Sequence, residues 1–60
     1  PTPEFYERAI DKAGLDVRRC VFLDDLAPNL VVPRSLGIAT IHHQSLERTR
    51  AQLASLGFGV

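Results

Sequence analysis

Near the start of the chain, apolar side chains return about every four residues, the repeat of an amphipathic helix. Phe5, Ala9 and Ala13 keep that interval with Tyr6 and Ile10 beside them, while Glu7, Arg8, Asp11 and Lys12 fall on the opposite side. Thr2-Pro3-Glu4 forms its opening. A hydroxyl can cap the first turn, proline at the first helical position loses no bond, and a carboxylate suits the positive end of the helix dipole. Gly14 is the expected stop.

The next apolar stretch has no helical period. Cys20-Val21-Phe22-Leu23 is continuous, entered from charged Asp16, Arg18 and Arg19 and ended by Asp24-Asp25, which predicts a strand buried on both faces. Ala27 to Leu36 then predicts a weak helix with a kink or a late start. Val31 and Val32 are β-branched, and Pro33 removes an intrahelical bond if the helix begins near Pro28. After Gly37, Ile38-Ala39-Thr40-Ile41 predicts a second strand, ending at His42-His43. Ser45 caps a last helix in which Leu46, Leu53 and Leu56 share a face and Gly57 closes the final turn. The remainder, 57–60, reads as a flexible tail.

Helix, strand, helix, strand, helix is an α/β order, and a helical crossover between two short apolar strands is the signature of a parallel sheet. The expected architecture is therefore part of a Rossmann-like sheet. Two parallel strands are too few to be stable alone, so further chain should complete the sheet. Sixty residues hold one domain at most, and a domain of that size buries only about 60% of the surface of its unfolded chain. Opening on Pro1 rather than Met gives the same expectation of a piece cut from something longer.

Composition removes several classes. Seven basic residues balance seven acidic ones without a block of either sign, so the footprint of nucleic-acid binding is missing. No run approaches the ~20 apolar residues of a membrane span, and no signal peptide pattern opens the chain. Cys20 is the single cysteine, which excludes an internal disulfide and fits a reducing, cytoplasmic setting.

The candidate chemistry sits at Asp24 and Asp25. In an open α/β sheet, ligands gather at the carboxyl ends of the strands, and this pair ends the more apolar strand. Hard carboxylate oxygens there suit Mg²⁺. Because strand side chains alternate, one aspartate should contact the metal and the other support it. The alternative from spacing alone is that the pair merely ends a strand and caps the next turn. His42 and His43, adjacent at a strand end, should diverge and not share a metal. Cys20 reads as a small core residue, Phe5 and Tyr6 as packing contacts, and Arg18-Arg19 and Arg48 with Arg50 as solvated surface.

The segment from Cys20 to Leu30, followed by Arg34 to Ile41, closely resembles the fourth motif of haloacid dehalogenase-like hydrolases. It looks most like the branch containing the phosphatase domain of soluble epoxide hydrolases. Pro1-Thr2-Pro3-Glu4-Phe5-Tyr6 is similar to the stretch after that family's third-motif lysine. The resemblance implies the C-terminal part of such a core domain, in a Mg²⁺-dependent phosphatase working through an aspartyl-phosphate intermediate. It implies Asp25 as direct metal ligand, Asp24 as its support and Asn29 as the residue ordering the loop. The nucleophile and the lysine would lie in the missing N-terminal part of the domain, leaving this chain without a catalytic residue and inactive alone. The partners implied are that missing part and a small phosphorylated substrate. Pro28, Val31, Val32 and Pro33 depart from the alanine-rich helix usual there.

Two further functions compete. A response-regulator receiver also carries an acidic pair after a strand, but it needs a later aspartate and lysine, and neither residue type follows Asp25. The other is a non-catalytic structural fragment that binds its missing half.

Overall fold

The computed structural model describes residues 2–59; Pro1, the first residue of the Pro1–Tyr6 stretch, and Val60, the last of the expected tail, lie outside them. Helix α1 spans Pro3–Ala13. Thr2 accepts a bond from the Phe5 N–H at 3.4 Å, and Gly14 ends the helix at φ 68°, a left-handed turn that costs glycine no Cβ clash. A single 3₁₀ turn, Val17–Arg19, leads into strand β1, Val21–Asp24. Its Asp16 cap accepts from the backbone and guanidinium of Arg18, and that side-chain bond is the main reason its carboxyl lies below the usual aspartate range.

The segment expected to be one weak helix divides into a 3₁₀ turn, Ala27–Leu30, and a short helix α2, Val31–Ser35. The division falls where the sequence placed Pro28, Val31 and Pro33, each of which disfavours a continuous helix. Strand β2 is Ala39–His42 and helix α3 is Leu46–Ser55, capped by Ser45, which accepts from the Arg48 N–H at 3.1 Å. Both strands begin and end one residue later than the sequence indicated. Gly57 turns the chain at φ 93°, and the Phe58 N–H bonds the Leu53 carbonyl at 3.0 Å, leaving Phe58 half-buried.

β1 and β2 pair in parallel with Val21 opposite Ala39 and Asp24 opposite His42. The described residues thus form a small α/β unit with a two-stranded parallel sheet and three α-helices. Alternation along the strands puts Phe22 and Thr40 on one face and Leu23 and Ile41 on the other. Tyr6 of α1 meets Phe22 edge-on, ring centroids 5.5 Å apart, and Arg34 of α2 donates to the Thr40 hydroxyl at 2.9 and 3.1 Å. These two helices therefore cover the Phe22 face. α3 is tied to the opposite face through His43, which continues the side-chain alternation of Ile41.

The core is small: Tyr6, Leu30, Ile38 and Ile41, with Pro33 also buried. Three expectations about burial are corrected here. β1 is not buried on both faces, since Leu23 is 42% exposed; only β2 stands beside it, and α3 sits over the other strand. Of the apolar side of α1, only Tyr6 is buried while Phe5, Ala9 and Ala13 are exposed, because the narrow sheet offers too little surface for the whole stripe. α3 does not bury the shared face of Leu46, Leu53 and Leu56: Leu46 and Leu56 are exposed and Thr49 is the buried residue.

Candidate functional site at the strand ends

The carboxyl ends of β1 and β2 and the turns leaving them form a shallow depression of about 320 Å³, lined by Leu23, Asp24, Asp25 and His43. Asp24 closes its own loop there. One carboxylate oxygen accepts the Leu26 N–H at 2.8 Å, the two-residue bond of an Asx turn, and the other accepts the Asn29 side-chain amide at 3.2 Å. The Leu26 N–H is the larger cause, and the Asn29 amide the next, of a carboxyl held below the ordinary aspartate value.

Asp25 is exposed, and its backbone oxygen accepts from His42 Nε2 at 2.9 Å. His43 turns away from its neighbour: its Nδ1 lies 2.6 Å from the Thr49 hydroxyl of α3, and its backbone N–H donates to the Asp24 carbonyl at 2.8 Å. The two histidines thus fasten different things. Cys20 is half-buried, with Sγ 3.1 Å from the Asp16 carbonyl that accepts its weak S–H. Asp24, Asp25 and Asn29 share one turn, while Thr49, unremarked in the sequence, joins the site through His43. A threonine four places after a cap residue carries no spacing signal that would single it out.

The described residues form an α/β unit built on parallel strands. Over 59 residues the chain is 39% identical to "Acyl-CoA dehydrogenase family member 10" of Mus musculus, a match covering 97% of this chain and 6% of that relative. The chain therefore spans a small fraction of the length of the curated relative it matches. No family model matches it, and no solved structure matches it.

This relative overturns the assignment to the haloacid dehalogenase-like hydrolases, because the family in its name is the acyl-CoA dehydrogenases and nothing found points to phosphohydrolases. With that assignment go the phosphatase function, the aspartyl-phosphate route and the Mg²⁺ cofactor. Among the described residues, no group of three or more His, Cys, Asp or Glu is gathered to hold a metal. The motif that carried the resemblance has a plain physical account. One Asp24 oxygen accepts the Leu26 N–H and the other the Asn29 amide, which shapes the turn after an apolar strand, while the 3₁₀ turn that follows has no side-chain cap bond. Among the described residues, no helix is long and apolar enough to cross a membrane.

Proposed function

We propose that this chain is an architectural βαβ module of a larger enzyme of the acyl-CoA dehydrogenase family, and that it joins a wider Rossmann-like parallel sheet along the free edge of β1. The observation that carries this reading is Leu23, an apolar residue in the middle of the most apolar strand that remains 42% exposed. Parallel strands are ordinarily covered on both faces and flanked on both edges. β1 has no lysine, proline or bulge to blunt its outer edge, the usual protections of an edge that stays unpaired. β2 is the better outer strand, since Thr40 is occupied by Arg34 and His42 by the Asp25 carbonyl. The enzyme character rests on the name of the mouse relative, of which this segment matches a small part. The occupant of the edge is a further strand of the same protein.

Leu23→Lys separates this reading from a self-contained unit. In the isolated chain the substitution should change stability by no more than about 0.5 kcal/mol, as expected of an exposed position. In the whole protein it should lower the unfolding temperature clearly. Equal and negligible effects in both settings would mean that nothing in the whole protein covers the Leu23 face of β1, and would end the proposal.

A further inference from the structure

Helix α3 is ten residues long, and isolated helices below about 12–15 residues are marginal in water. Its leucines are incompletely covered, with Leu46 exposed and Leu53 half-buried, whereas Thr49 is only 4% exposed. The Thr49 hydroxyl lies 2.6 Å from His43 Nδ1. His43 is a firm anchor because its own N–H is bonded to the end of β1.

The direction of the bond follows from the donors available. A hydroxyl can donate or accept, and a neutral imidazole has one nitrogen of each kind. Among the described residues, His43 is the hydrogen-bond partner found for the Thr49 hydroxyl. If Nδ1–H donated, the buried O–H would have no acceptor, and an unsatisfied buried donor is costly. Donation from Thr49 to Nδ1 leaves no orphan.

We propose that this bond, Thr49 O–H donating to His43 Nδ1, is a latch that holds α3 on the sheet, so that opening it releases the helix as a unit while α1 and α2 stay in place. The latch lies at the strand-end depression, because His43 forms part of its lining. The helix and the strand ends are thereby joined through one ring.

Hydrogen exchange of the whole protein tests the latch, read on peptides covering α3 and, as a control, α1. Thr49→Val should raise exchange in α3 roughly threefold to tenfold, the span of one net hydrogen bond, and leave α1 unchanged. Thr49→Ser keeps the hydroxyl and should exchange as the parent does. His43→Phe leaves the Thr49 hydroxyl buried without a partner and should raise α3 exchange at least as much as Thr49→Val, with the double variant no faster than His43→Phe. His43→Asn offers an amide oxygen near the Nδ1 position and should keep α3 protected; protection lost as fully as in His43→Phe would overturn the assigned direction. Unchanged α3 exchange in Thr49→Val, additive effects in the double variant, or equal loosening of α1 would each overturn the latch.

Discussion

His42 Nε2, on the last residue of β2, donates to the backbone oxygen of Asp25 across 2.9 Å, joining the ends of the two strands by a bond outside the ladder. A carbonyl can only accept, so the proton of this imidazole is on Nε2. His42→Ala should therefore loosen the Asp25 turn at a cost of about 0.5–1 kcal/mol, the lower part of the range for one bond because the ring is exposed. Urea unfolding of parent and variant would show it as a lower midpoint at unchanged slope. A midpoint that does not move would mean that the strand ends need no such tie.

The Asp24 turn should respond to acid. The Leu26 N–H and the Asn29 amide hold this carboxyl below its ordinary value, so the unfolded chain binds its proton more readily than the folded one. The resulting stabilisation is present at neutral pH and is lost as pH falls below about 4 and through the lower folded value. Asp24→Asn, compared with the parent by thermal unfolding between pH 7 and pH 3, should flatten that acid limb. A parallel loss in both proteins would assign the acid sensitivity to other carboxylates, with Asp16 beside Arg18 the first to examine.

Ile41 and Leu30 are each 2% exposed, and they form much of a very small core. Ile41→Ala or Leu30→Ala should cost about 2–5 kcal/mol, enough to unfold a domain of this size on its own. Val31→Ser, at a position 62% exposed one residue from Leu30, should change stability by no more than about 0.5 kcal/mol. Circular dichroism of the three variants would rank them; an unfolded Val31→Ser protein would mean that the exposed position is covered by something else.

Gly14 is needed for its backbone and not for its size. A Cβ there would meet open space, yet φ is 68°, where an L side chain is strained. Gly14→Ala should therefore destabilise by about 1 kcal/mol through local backbone strain and not through a clash with another part of the fold, seen as a lower unfolding temperature. A neutral result would show that α1 can end by another route.

Much of the architecture was legible in single residues. Pro3 and Gly14 bracket α1, Pro28 and Pro33 foretell the divided crossover, and Ser45 starts α3, because a missing N–H, a ring or a free hydroxyl acts within a few residues of itself. The same locality leaves the role of Asp24 open at the level of sequence. An acidic pair after an apolar strand looks identical whether or not its oxygens shape the next turn, and only the tertiary structure shows the bonds from Leu26 and Asn29.

The sequence by itself determined the order of helices and strands, their caps and the parallel character of the sheet, all of which follow from local backbone preference and side-chain period. The tertiary structure decided which apolar residues are covered. Leu23 and Leu46 are as hydrophobic as Ile41, yet they stay exposed while Thr49 is buried, because burial depends on what stands opposite a side chain in space. Among the described residues, β2 stands beside β1, and a polar contact to His43 holds Thr49.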